Sequence, residues 1–133
     1  MTKAWLIKYI VSQSLLAGMD PSVCITVAKM ESNFDASVIG PKHELGLFQL
    51  NPLSFPKYSK KYLLNPKNNI RLGVNYLKEV KDNCIHRTEL NWLVCYNYGY
   101  ENAKHVKYPW LFPYVVRATK IRKQLVEEFE SDL

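Results

Sequence analysis

The sequence predicts a single all-α domain, and three observations carry that expectation. Apolar residues recur at three- and four-residue spacing along most of the chain, the period of helices that bury one face. Asp20-Pro21 and Asn65-Pro66 each join an N-capping side chain to a proline at the first helical position, where its missing N–H costs nothing. No alternating apolar–polar strand with a hairpin turn stands out. The 133 residues, 47% hydrophobic and 23% charged, are enough to bury one core without staples.

The elements follow in order. Leu6, Tyr9, Ile10, Leu16 and Ala17 suit one face of an N-terminal amphipathic helix. Lys8, Ser12, Gln13 and Ser14 interrupt the apolar run an export signal would need, so no signal peptide is evident,. From Pro21 a second helix carries Val23, Cys24, Val27, Ala28 and Glu31 on one stripe. Residues 35–64 are irregular, with Gly40-Pro41, Asn51-Pro52 and Phe55-Pro56 as breakers, and leave room for a short β excursion,. From Pro66 a helix carries Ile70, Gly73, Val74, Leu77 and Val80. Thr88 is placed to cap a helix bearing Leu90, Leu93, Val94 and Asn97, and Pro113 opens a last helix with Tyr114, Ala118, Ile121, Leu125 and Phe129 on one stripe,.

Composition excludes several classes. Five glycines and seven prolines rule out a collagenous or low-complexity chain,. No apolar run approaches the ~18 residues of a bilayer span, so no stable membrane insertion is expected. The net charge of +6 calls for an acidic partner: nucleic acid, anionic lipid or an anionic polymer. Cys24, Cys84 and Cys95 are an odd number, which cannot close a disulfide framework,. Cys24 and Cys95 lie in apolar helical patterns and read as buried free thiols, in keeping with a reducing cytoplasm. Cys84 and His86 lack the paired ligands of a zinc site, so no metal is expected,.

Glu31 is the most informative residue. A lone Glu ordinarily frays into solvent or pairs with a nearby lysine, yet this one continues the stripe of Cys24, Val27 and Ala28. Burial disfavours the charged form of a carboxyl. A group so placed can hold its proton and donate it as a general acid. The neighbouring blocks decide between these two readings. Lys29-Met30-Glu31-Ser32-Asn33-Phe34, followed by Gly46-Leu47-Phe48-Gln49-Leu50-Asn51-Pro52, resembles the catalytic signature of lytic transglycosylases of the soluble, goose-lysozyme-like type. Asn65-Pro66 with Asn69-Ile70, Gly73 and Tyr76-Leu77, then Tyr96-Asn97 with Gly99, then Pro113-Tyr114-Val115, resemble that family's later blocks in the same order. The resemblance runs from about residue 20 to 125 and implies one lysozyme-like helical domain over residues 1–133.

The resemblance also implies a chemistry: cleavage of the β-1,4 bond between N-acetylmuramic acid and N-acetylglucosamine in peptidoglycan, with no cofactor. Glu31 would protonate the leaving oxygen. Then, as base, it would activate the muramic C6 hydroxyl, whose attack gives a 1,6-anhydro product. Most glycosidases instead use a second carboxylate. By position, Gln49 would line the cleft and hold a sugar, Asn97 would bond an N-acetyl group, and Tyr114 would orient the acid. Phe48 would form an apolar wall, and Tyr96 and Tyr98 would offer core or stacking surface. A lone catalytic domain of this kind, without an export signal, suits a phage lysis or virion-associated enzyme. It would be made in the cytoplasm, act on the wall in the periplasm, and be a monomer.

This sequence departs from the family pattern at three places. Gly40 stands where a serine often bonds the acid, leaving Ser37 as a substitute; His43-Glu44 replaces Gly-Ala; Tyr98 replaces a small residue. Glu44 is the second carboxylate that a hydrolytic, goose-type muramidase would need to activate water. Its ordinary reading, a solvated loop carboxylate beside Lys42 and His43, is favoured. Tyr58, Tyr62, Tyr100 and Tyr108 are mostly packing residues that are able to extend a stacking platform,. The main rival is a basic helical nucleic-acid-binding domain, built on Arg117, Lys120, Arg122 and Lys123. Glu127, Glu128 and Glu130 follow at once and weaken it,. The acidic partner expected for the +6 is therefore the glycan mesh of the wall and not nucleic acid.

Overall fold

The computed structural model describes residues 1–132. These form seven α-helices, α1 (Lys3–Ala17), α2 (Pro21–Ser32), α3 (Lys60–Leu64), α4 (Pro66–Asn83), α5 (Leu93–Tyr98), α6 (Tyr100–Ala103) and α7 (Pro113–Ser131). Short 3-10 turns lie at Pro52–Ser54 and Pro109–Leu111. No strand forms among the described residues; the β excursion is limited to isolated bridges pairing Leu45 with Ile39 and with Leu50. The all-α expectation holds. The chain divides into two compact units, Met1–Asn75 and the part from Tyr76 onward.

In the first unit α1 packs on α2. Thr2 caps α1 by accepting the Trp5 N–H at 3.1 Å. Gly18, left-handed at φ 72°, ends it, and the Met19 N–H returns to the Ser14 carbonyl at 2.8 Å, a glycine-dependent stop. Asp20 then caps α2 by accepting the Ser22 N–H at 2.9 Å. The buried face of α1 is Leu6, Ile10 and Ser14: Leu6 and Ile10 are buried as expected, while Ser14 takes the place expected of Leu16. Leu16 lies about 120° around the helix from Ile10 and Ser14 about 40°, so Leu16 is 81% exposed. Burying Ser14 is tolerated because its hydroxyl donates to the Ile10 carbonyl at 2.6 Å,. In α2 every residue from Val23 to Ala28 is buried, so this helix lies inside its unit.

In the second unit α5 packs against α6 and α7, around Trp92, Leu93, Val94, Val115 and Ala118. Cys84, just past α4, is disulfide-bonded to Cys95 in α5. This corrects the reading of Cys95 as a free thiol: an odd count leaves one cysteine over, and that one is the buried Cys24. The helix expected from Thr88 begins only at Leu93. Glu89 has φ 51°, and residues 89–92 run as turns. On α7 the buried positions are Val115 and Ala118; Phe129, expected on the stripe, is 67% exposed.

The disulfide closes a loop with a sequence separation of 11 and little regular structure of its own. Loop-closure entropy assigns such a link about 3 kcal/mol. Thermal unfolding of a Cys84→Ser/Cys95→Ala variant, or of the wild type in dithiothreitol, is expected to show a Tm lowered by well over 5 °C. An unchanged Tm on reduction would mean that the link is not formed.

Candidate active site

In the first unit Glu31 lies on the last turn of α2 and is half-buried. The chain leaves the helix through two successive left-handed residues, Asn33 at φ 49° and Phe34 at φ 63°, so the turn directly after the carboxyl is sharply reversed. Beyond it Asp35 accepts both the N–H of Ser37 at 2.9 Å and its hydroxyl at 2.6 Å. These bonds hold the Asp35 carboxyl below its usual range,. The Ser37 hydroxyl is thus spent on Asp35, and the suggestion that it substitutes for the family serine is corrected.

The Gly46–Leu50 block forms a tight loop. Leu45 and Leu50 exchange backbone hydrogen bonds at 2.9 and 3.0 Å. Gly46, at φ 73°, sends its N–H to the Val38 carbonyl at 2.8 Å. Gln49, itself at φ 48°, donates its side-chain amide to the carbonyls of Val38 at 3.1 Å and Gly46 at 2.9 Å. Its amide hydrogens therefore brace the loop, and its Oε1 faces Gly40. Glu44 is half-buried and accepts the Lys42 N–H at 2.6 Å. A Cβ on Gly40 would run into the Gln49 Oε1 and the Glu44 carboxylate. The loss of the family serine at 40 and the carboxylate at 44 are thus one departure: glycine makes room for what the loop puts there.

The residue that seats this loop is, in the sequence, one letter of the Asn69-Ile70 block. Asn69, on α4, has no exposed surface. Its Nδ2 donates to the carbonyls of Leu45 and Leu63, each at 2.8 Å, and its Oδ1 accepts the Phe48 N–H at 2.8 Å. One turn on, Gly73 receives Phe48: a Cβ there would lie 2.5 Å from the Phe48 ring. Phe48 is wholly buried, so it shapes the loop from beneath. The sequence signal for Asn69 was an amide beside the apolar stripe of Ile70, Gly73, Val74 and Leu77.

In the second unit three helices bring three tyrosines together. Tyr96 of α5 meets Tyr76 of α4 at 5.9 Å and Tyr114 of α7 at 6.3 Å between ring centres, all tilted, a favoured aromatic geometry. Blocks spread over 39 positions of sequence thus converge on one row of half-buried rings. Burial, then the Glu79 charge, raises the Tyr76 hydroxyl above its usual pKa. Tyr100 is raised by burial and then by Tyr76 and Glu79. Both remain protonated donors at neutral pH. Asn97 is exposed on the last turn of the six-residue α5, so it is not a core amide. Tyr98 is exposed and packs one side on Phe112 at 5.4 Å. Among the described residues no cluster of three or more His, Cys, Asp or Glu is arranged to hold a metal ion.

A helical unit with a carboxyl at the end of a buried helix, and a braced Gly-Leu-Phe-Gln loop seated on an Asn/Gly helix face, define a class of protein. The family model for the transglycosylase SLT domain matches residues 8–108. The chain belongs to that family, the catalytic domain of lytic transglycosylases. Among solved structures it is similar to an inactive mutant of the lytic transglycosylase Slt from Pseudomonas aeruginosa, with a TM-score of 0.64 and 20% sequence identity. The match covers 87% of this chain and 21% of that one, so this chain spans about a fifth of the protein it resembles.

Replacing Asn69 by Ala would strand two buried backbone groups, the Leu63 carbonyl and the Phe48 N–H, and leave the Leu45 carbonyl with the Leu50 N–H alone. At about 1–3 kcal/mol for each unsatisfied group, the variant is expected to lose at least about 2 kcal/mol in urea unfolding. Gly73→Ala is expected to be destabilised as well, by displacing Phe48. A wild-type midpoint for Asn69→Ala would show that the amide does not carry the loop.

Proposed function

We propose that this domain cleaves the β-1,4 bond between N-acetylmuramic acid and N-acetylglucosamine in peptidoglycan without water, leaving a 1,6-anhydromuramic end. The observation that carries the reading is the family match across residues 8–108, which includes Glu31 at the end of a buried helix. Glu31 is the general acid. The carbonyl end of α2 disfavours negative charge there, which helps a carboxyl keep a proton to donate. After the glycosidic oxygen leaves, the same carboxylate takes the proton of the muramic C6 hydroxyl as that oxygen closes on the anomeric carbon. One carboxyl serves both steps, so no nucleophilic partner is needed.

The remaining roles are those of support and contact. Gln49 and Phe48 fix the loop beyond the acid, and the Gln49 amide oxygen is the group that loop offers a sugar. Asn97 and Tyr98, both exposed, are offered to the N-acetyl group and the sugar face. Tyr96 and Tyr114 belong to the tyrosine row, Tyr114 serving to orient reacting groups through its hydroxyl. Glu44, tied to the Lys42 N–H, is a loop carboxylate. The substrate lies outside the cytoplasm. The Cys84–Cys95 link favours an oxidising compartment, so we place the working protein on the wall side of the membrane.

Clearing of purified peptidoglycan by the parent protein and by Glu31→Gln tests the acid. Loss of a positioned acid–base group is expected to cost about 10²–10⁴-fold in rate, with Tm unchanged. Mass spectrometry of the released muropeptides is expected to show anhydro ends. Hydrated ends, together with inactivity of Glu44→Gln, would replace the proposal with a hydrolytic muramidase; equal clearing by parent and Glu31→Gln would sink the assigned acid.

A further inference from the structure

The second unit exposes an aromatic surface that the catalytic reading does not use. Tyr108 is 50% exposed, Trp110 56% and Leu111 65%. Tyr108, which precedes the 3-10 turn Pro109–Leu111, and Trp110, on that turn, stand edge to face at 5.5 Å. The turn is closed by the Leu111 N–H to the Tyr108 carbonyl at 2.9 Å and the Phe112 N–H to the Pro109 carbonyl at 3.0 Å, with Pro109 buried as its anchor. The rings are thus presented on a fixed frame and not on a loose loop. Grouped exposed aromatics mark an interaction surface more often than chance packing.

The charge around the rings says what kind of partner fits. The Lys107 ammonium sits over the Tyr108 ring at 5.5 Å, an attractive cation–π placement. In sequence, the stretch from Tyr98 to Lys120 also carries Lys104, Arg117 and Lys120 against the single acid Glu101, which pairs with Lys104 at 2.9 Å, so the segment is net positive. A partner should therefore have flat apolar faces for the rings, hydroxyls for their edges and negative charge for the lysines. A glycan strand bearing carboxylate-containing stems has all three: pyranose C–H faces, hydroxyl rims and acidic substituents. A lipid surface supplies the charge but asks for a broader apolar patch than one pair of rings and one leucine.

We propose that Tyr108 and Trp110 form a glycan-holding surface for peptidoglycan strands, outside the blocks that carry the family resemblance. The proposal rests on the reading of the substrate above and adds to it the residues that hold the strand. Tyr98 continues the surface toward Asn97: its ring lies against Phe112, the residue that ends the same turn.

The test uses the full chain in a Glu31→Gln background, so that digestion does not obscure binding, and measures retention on purified insoluble peptidoglycan. The Tyr108→Ala/Trp110→Ala double variant is expected to bind about tenfold more weakly, the order of effect of withdrawing two half-exposed rings from apolar contact. Trp110→Phe is expected to recover most of the binding, and the Tm to stay at the parent value because both side chains are exposed. In the active chain the same double substitution is expected to raise KM on intact peptidoglycan and to leave the rate on a short soluble fragment unchanged.

Parental retention of the double variant would overturn the proposal. So would binding that vanishes in 0.5 M NaCl whether or not the rings are present, since charge alone would then explain it. Ring-dependent binding to phosphatidylglycerol vesicles with no ring dependence on peptidoglycan would assign the surface to a membrane instead. Failure of the catalytic reading looks different: the wild type would release no anhydro muropeptides, yet its ring-dependent retention would persist.

Discussion

The side-chain amide of Asn69 meets three backbone groups at 2.8 Å and reaches no solvent. Its two donors go to carbonyls before the loop at Leu45 and at the end of α3 at Leu63; its acceptor takes the N–H of Phe48. Without that amide the Leu63 carbonyl and the Phe48 N–H would be buried without a partner, and the Leu45 carbonyl would keep only the Leu50 N–H, at a cost comparable to a sizeable fraction of a small domain's whole stability. The loop that carries Gln49 follows from this arrangement. Gly46 must be glycine for the amide to approach, since a Cβ there would lie 2.5 Å from Asn69 Nδ2. Gly73 must be glycine for Phe48 to lie flat on the same helix. Two glycines and one asparagine therefore form a socket, and Phe48 with its N–H is what fits into it.

This division of labour recasts the motif blocks. Several residues that a family pattern invites one to read as substrate contacts work on the protein's own backbone. Gln49 donates both amide hydrogens inward, and Phe48 is wholly enclosed. Under the proposed function their effect on a sugar would be exerted through the position of the loop, with the Gln49 oxygen as the polar atom left over. Gly40 and Glu44 show the same logic at a place where this chain departs from the pattern. The space a serine side chain would fill is taken by the Gln49 oxygen and the Glu44 carboxylate, and Glu44 is in turn held by the Lys42 N–H.

What was legible in the sequence follows the range of the forces involved. The starts of α2, α4 and α7 were read to the residue, because Asx-Pro and Pro chemistry acts within one turn. The all-α class was legible because helical periodicity is repeated in every long element. The misreadings came where a neighbour in space, not in sequence, decides. Leu16 and Ser14 differ by two positions on α1; hydrophobicity favoured the leucine, but helix geometry turns the serine inward, where the Ile10 carbonyl satisfies it. Phe129 is apolar and on register, yet α7 has outrun the core by that point. Two of the three partners of Asn69 lie 21 and 24 residues away, beyond any local pattern. The family resemblance carried Asn69 as a letter in a block without its reason.

The cysteines show the same limit from another side. Parity rules out a closed framework but still allows one link, and Cys24 and Cys95 both read as free thiols because their surroundings are apolar. Apolar surroundings suit a buried disulfide sulfur equally well, so burial had no power to choose among Cys24, Cys84 and Cys95. What chooses is geometry: α4 ends at Asn83 and α5 runs Leu93–Tyr98, which brings the Cα atoms of Cys84 and Cys95 to 6.0 Å, within bonding reach. Cys95 directly precedes Tyr96, the central ring of the tyrosine row. The link therefore ties the stretch between α4 and α5, which has few backbone hydrogen bonds to hold it, to the helix that places Tyr96, Asn97 and Tyr98. In an oxidising compartment that helix is anchored at its start by a covalent bond. In a reducing one it rests on its packing against α6 and α7 and on the ring contacts of Tyr96.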